Sequence, residues 1–123
     1  MIGDMKASVL VVDDDPEFRE LAVRLLTASG LTVVGEAGSV TAAREAAIRL
    51  EPWACLVDVE LPDGDGVTLA RELAALPWHP RIVLTSINGD ITNDREVRLA
   101  GAAAFVSKSE LPDAPLSQLL LGR

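Results

Sequence analysis

The chain has 123 residues, 19 acidic side chains against 11 basic ones, and a net charge of −8 at pH 7. That length supports one domain with a single core, and the absence of any basic stripe interleaved with aromatics argues against direct nucleic-acid binding. Apolar residues make up 49% of the chain, yet every apolar run falls far short of the roughly 20 residues that cross a bilayer, so no membrane partner is expected.

Met1 to Ala7 reads as an N-terminal arm, leaving 8–123 as the domain. Met1 to Lys6 has no apolar signal core, and Cys55 stands alone inside an apolar run, which together predict a reducing, cytoplasmic setting. Ser8 to Val12 is a continuously apolar first strand, suited to a sheet covered on both faces. Asp15-Pro16 then reads as an N-cap followed by proline at the first helical position, opening a helix to Ser29 with Phe18, Leu21, Ala22 and Leu25 as its buried stripe. Gly30 ends it. A second strand over Leu31 to Ala37 leads to a helix capped by Ser39 and stopped by Glu51-Pro52. Ala54 to Asp58 is the third strand, followed by an acidic loop and a helix over Val67 to Leu76. Pro77 to Pro80 is a turn, Arg81 to Thr85 the fourth strand, and Asn88-Gly89-Asp90 a loop. A short polar helix over Asp94 to Ala100, a fifth strand over Ala104 to Ser107 and a last helix over Asp113 to Leu120 complete the chain.

Strand ends thus recur roughly every 21 to 27 residues with one helix between each pair, the rhythm of successive βα units. Right-handed crossovers make such a sheet parallel and doubly wound, with helices on both faces. The spacing leaves the strand order open. All strand carboxyl ends then share one edge, where open α/β sheets bind ligands. Asp13 and Asp14 close the first strand, Asp58 the third, Thr85 the fourth and Lys108 the fifth.

Two carboxylates about 4 Å apart repel by around 4 kcal/mol at an effective dielectric near 20, so converging acids call for a cation. An oxygen-only donor set favours Mg2+ over zinc, and magnesium commonly bridges carboxylates to a phosphate. Lys108 supplies a point charge and Thr85 a hydroxyl donor for phosphoryl oxygens, with Asp58 as the nucleophile. Taken singly these residues read as ordinary: Asp15 as a helix cap, Thr85 as a strand residue, Lys108 as a surface charge. Their joint arrangement at four strand ends points to phosphoryl transfer.

On four motifs in order, Val11-Val12-Asp13-Asp14-Asp15-Pro16, Asp58-Val59-Glu60-Leu61-Pro62-Asp63-Gly64-Asp65-Gly66, Leu84-Thr85-Ser86 and Phe105-Val106-Ser107-Lys108, the chain resembles the receiver domains of two-component response regulators. The resemblance spans residues 8–121. It implies a flavodoxin-like five-stranded sheet of order 2-1-3-4-5, and a phosphoryl group accepted on Asp58 from the phosphohistidine of a sensor histidine kinase. It implies that Asp14 and Asp58 bind magnesium by carboxylate, that Glu60 adds its backbone carbonyl, and that Asp13 holds metal-bound water. Thr85 and Lys108 would contact the phosphoryl oxygens. Thr85 and Phe105 would form the switch that alters a surface for a downstream protein, whose identity the residues do not give.

Three features depart from the family's commonest pattern. Lys108 is followed by Ser109, where many receivers have a cis-proline. The last helix is short and carries Pro112 and Pro115 in its first turn, at the surface the family uses for dimers, so a homodimer is left open. Ile87 puts an apolar group beside the path of hydrolytic water and is expected to slow loss of the phosphoryl group. His79, Trp53 and Trp78 read as surface or packing residues. Two rivals remain: a phosphate-independent receiver-like interaction domain, and a magnesium-dependent phosphatase that forms an aspartyl phosphate. The second lacks the expected Thr or Val, since Asp13-Asp14-Asp15-Pro16 is followed by Glu17. No turnover of an external substrate is expected.

Overall fold

The computed structural model describes residues 7–87 and 94–122. Its first strand, β1 (Ser8–Val12), is buried throughout. Helix α1 (Pro16–Ala28) starts as the sequence predicts, with the Asp15 carboxylate accepting from the Glu17 amide and Pro16 in the first turn. It closes through Gly30 at φ +87, where the Leu31 amide donates to the Leu26 carbonyl at 3.0 Å and Gly30 to Thr27 at 3.1 Å. That pairing needs a left-handed residue, which glycine supplies without strain. Leu31 is therefore buried as the end of this cap, and the edge strand β2 (Thr32–Ala37) begins one residue later than expected. The buried row of α1 is Phe18, Ala22 and Leu26. Leu21 and Leu25 flank this row, because the i, i+4, i+8 line faces the sheet.

Helix α2 (Val40–Leu50) is capped by Ser39 and ends at Glu51 with φ 45, ahead of Pro52. Strand β3 (Ala54–Asp58) is buried along its length. The acidic loop contains a small antiparallel hairpin that the sequence reading did not foresee, β4 (Glu60–Leu61) against β5 (Gly64–Asp65). Helix α3 (Gly66–Ala74) follows, ending earlier than expected because Ala75 and Leu76 turn back onto Glu72 and Leu73 through three-residue bonds. Then come β6 (Arg81–Ser86), α4 (Asp94–Leu99) and β7 (Ala104–Ser107). The expected loop at Asn88-Gly89-Asp90 lies outside the described residues. So does most of the expected N-terminal arm; its last residue, Ala7, is buried and belongs to the core.

The chain after β7 corrects the expected helix from Asp113. A 3-10 helix covers Lys108–Asp113, and α5 is confined to Leu116–Leu121. Pro115 is the cause: the residue before a proline is pushed from helical to extended backbone, and Ala114 sits at φ −77, ψ 148. No cis peptide bond occurs among the described residues, Lys108-Ser109 included.

The five long strands form one parallel sheet in the order β2-β1-β3-β6-β7. Setting the hairpin aside, this is the 2-1-3-4-5 order of the flavodoxin-like fold. Alternate residues of each strand feed opposite layers. Leu10, Val12, Cys55, Val57, Ile82 and Leu84 pack toward α2, α3 and α4, while Val9, Val11, Ala54, Leu56 and Val83 pack toward α1 and α5. Burial pushes the Cys55 thiol up to about 12, so it is a small inert core residue.

Candidate functional site

The parallel register brings the strand ends together. Asp58 stands opposite Thr85, and the Val59 amide donates to the Thr85 carbonyl at 2.9 Å. Asp13 follows β1 directly, its amide bonded to the Ala37 carbonyl at 2.9 Å, so its carboxylate is aimed by the sheet itself. Gly66 permits the tight return from the acidic loop. Its amide donates to the Val59 carbonyl at 2.8 Å, and a Cβ there would run into the Asp58 carbonyl.

Asp13, Asp14 and Asp58 each present a carboxylate oxygen within 4.8 Å of the others. Asp13 and Asp58 are buried and Asp14 is exposed. Lys108 reaches over from the far side of the sheet. Its Nζ lies 2.7 Å from Asp13 Oδ2, off the hydrogen-bond axis, and donates to Asp58 Oδ2 at 3.3 Å. Burial lifts the Asp58 carboxyl above its ordinary value, the Glu60 amide opposes that at 3.2 Å, and the Asp13 charge adds to it while Lys108 pulls it back. For Lys108 burial works toward a lower value, but Asp13 and Asp58 outweigh it and hold the ammonium above its usual range. The Thr85 hydroxyl is fully buried and finds no hydrogen-bond partner among the described residues. Such a group is costly unless something fills its vacant bond.

A cavity of about 310 Å³ opens at Asp58 and Lys108, lined also by polar Asp14 and Glu60 and by apolar Ile87 and Pro62. The donors are all oxygens, three carboxylates stand against one lysine, and a buried hydroxyl is unsatisfied, so the residues fit a hard cation together with a small anion. Glu60 lines this cavity as well. Phe105 sits apart, partly buried against the core from β7, where it also lines a shallow hollow with Glu110, Asp113 and Pro115.

Three residues near the site were not singled out for it in the sequence. Arg19 donates to the Asp13 carbonyl at 2.7 Å and to Glu36 Oε1 at 3.2 Å, tying the end of β1 to β2. Asp63 reaches from the hairpin to the start of α2, accepting from the Val40 and Thr41 amides at 2.7 and 3.2 Å. Phe18, read only as core, lies beneath Lys108. Arg19 and Phe18 had one local signal, their place in the first turns of the helix that follows the acid pair. Asp63 had none, since its partners lie across the fold.

The remaining aromatic candidates are remote. Trp53, Trp78 and His79 line a groove of about 770 Å³ with Arg49 and Arg81, among loops where β3 and β6 begin. The Trp78 indole donates to the Pro52 carbonyl at 3.2 Å and His79 Nδ1 lies 3.0 Å from the Ala74 carbonyl, packing roles that fit the sequence reading.

Comparison with known proteins agrees with this geometry. The family model for the response regulator receiver domain matches residues 9–119. A protein-glutamate methylesterase/protein-glutamine glutaminase from Myxococcus xanthus is 35% identical over 109 residues, covering 87% of this chain and 31% of that protein. The DNA-binding transcriptional activator DevR/DosR of Mycobacterium tuberculosis is 40% identical over 102 residues, covering 81% of this chain and 46% of its own length. The signal receiver domain of the regulator NarL from the same organism superimposes with a TM-score of 0.76 at 34% identity, covering 90% of this chain and 94% of that one. The chain thus spans less than half the length of these two curated relatives. Among the described residues, no helix is long and apolar enough to cross a membrane.

Proposed function

We propose, because the chain belongs to the family of response regulator receiver domains, that Asp58 accepts a phosphoryl group from the phosphohistidine of a sensor kinase and that this changes a surface bound by a downstream protein. The observation that carries the reading is Lys108 Nζ set between Asp13 and Asp58 at 2.7 and 3.3 Å, with Thr85, the register partner of Asp58, holding a buried hydroxyl that finds no partner among the described residues.

The chemistry follows from that arrangement. An Asp58 carboxylate oxygen attacks phosphorus, the phosphorus–nitrogen bond of the donor breaks, and the departing imidazole takes up a proton. With the Glu60 amide, Lys108 opposes the burial that disfavours the Asp58 carboxylate, and it turns its proton donors to a phosphoryl oxygen once Asp58 has become an acyl phosphate. Its contact with Asp13 keeps it in place during that turn. The Thr85 hydroxyl gives its vacant hydrogen bond to a second phosphoryl oxygen, and the resulting shift at β6 is felt at Phe105 on the neighbouring strand, opposite Leu84. Asp13, Asp14, Asp58 and the Glu60 carbonyl are the groups that would hold magnesium, which when bound neutralises charge on the acids and the transferring group.

Reductive trapping tests the position. After incubation with magnesium and phosphoramidate, borohydride should convert residue 58 to homoserine, seen by peptide mass spectrometry, while the other acids stay unchanged. Conversion at Asp13 or Asp14 instead would overturn the assignment.

A further inference from the structure

The Lys108 ammonium has a third neighbour besides the two carboxylates. Its Nζ stands 4.2 Å from the centroid of the Phe18 ring, over the face. Phe18 is 8% exposed, and the Lys108 side chain is 13% exposed. A cation over an aromatic face is attracted by the ring quadrupole, most strongly where water is excluded.

Resting on the reading of Asp58 as phosphoacceptor, we infer that Phe18 is a positioning residue for phosphoryl transfer, its ring face holding the Lys108 ammonium at the point between Asp13 and Asp58 from which it can reach a phosphoryl oxygen. Geometry favours a ring for this task. A carboxylate beneath Lys108 would compete with the incoming phosphoryl group for its proton donors, and an aliphatic side chain would give the charge nothing. The ring attracts the ammonium without consuming a hydrogen bond, so all its donors stay available as Asp58 changes from carboxylate to acyl phosphate. The placement of Phe18 also follows from the chain. Asp15 and Pro16 fix the start of α1, and Phe18 then lies on the row with Ala22 and Leu26 that faces the sheet, at the end nearest the acids.

A packing role alone must be separated from this one. Fluorinated phenylalanines introduced only at residue 18 keep the shape of the ring while draining its negative face. With acetyl phosphate and saturating magnesium, the maximal phosphorylation rate should fall with each added fluorine, by between about twofold and thirtyfold across the series. The donor concentration for half-maximal rate and the melting temperature should stay level. Phe18→Tyr should keep most of the rate, and Phe18→Leu, which preserves apolar bulk, should lose as much as the heavily fluorinated ring. A flat series in a protein that does take up phosphate would overturn the role of Phe18 and leave Asp58 standing. A rate that falls only in step with melting temperature would reduce Phe18 to packing. No uptake by the unsubstituted protein would overturn both readings.

Discussion

At Lys108 the local balance of charge decides what the site can do. Burial disfavours its ammonium and the same burial disfavours the Asp58 carboxylate; Asp13 and Asp58 hold the ammonium charged, while the Glu60 amide and then Lys108 favour the Asp58 carboxylate against burial and the Asp13 charge. Such a cluster can exchange partners, because on conversion to an acyl phosphate Asp58 would give up only a 3.3 Å hydrogen bond while the 2.7 Å contact of Lys108 to Asp13 would remain. Ile87 is proposed to act on the opposite event, loss of the phosphoryl group. It is 77% exposed and lines the acid cavity together with Asp58, so it presents an apolar group to water that would approach a phosphoryl group there. Ile87→Glu should speed loss of the phosphoryl group severalfold, by orienting that water, when decay of the phosphorylated species is followed by mass. An unchanged decay rate would remove Ile87 from the account.

The acidic loop shows the same logic at the scale of an element. The β4–β5 hairpin is too short to hold itself, and it is fixed at its turn and at its last residue: Asp63 in the turn accepts from the Val40 and Thr41 amides of α2, and Asp65 from the Val67 amide of α3. The loop that carries Glu60 is therefore tied to helices on both sides. The amides of Val40 and Thr41 hold the Asp63 carboxyl below its usual value. A depressed acid contributes stability above its unfolded value, about 3.9 for aspartate, and loses it as pH falls through the lower folded value. Asp63→Ala should thus lower the melting temperature by a few degrees near neutrality, with the gap to the parent closing under acid; a gap independent of pH would mean the carboxylate charge is not what matters. This tether was not legible in the sequence. Glu60-Leu61 and Gly64-Asp65 carry no alternating apolar signal, and a cap supplied from another element leaves no local trace. The caps at Asp15 and Ser39 were legible because donor and acceptor lie within three residues.

Across the whole molecule, the parallel sheet turns four separate strand ends into one site. Asp13 and Lys108 lie just after β1 and just after β7, with β3 and β6 between those strands, yet meet at 2.7 Å. The apolar runs ending in Asp13, Asp58, Thr85 and Lys108 made that convergence readable, since a buried strand followed by a polar residue marks the sheet edge. The contact of Phe18 with Lys108 was not readable, because it depends on which way α1 is rotated and on the reach of a long side chain. Nor was the shortened last helix fixed by composition alone: Pro115 pushed Ala114 out of helical backbone and confined α5 to Leu116–Leu121. These strand ends are proposed as a magnesium-dependent acceptor for one phosphoryl group on Asp58. Intact mass after incubation with acetyl phosphate, with and without magnesium and beside Asp58→Ala, tests this proposal most directly. The account predicts a single added phosphoryl group that requires magnesium and is absent in the variant; an unmodified parent, or equal modification of the variant, would contradict it.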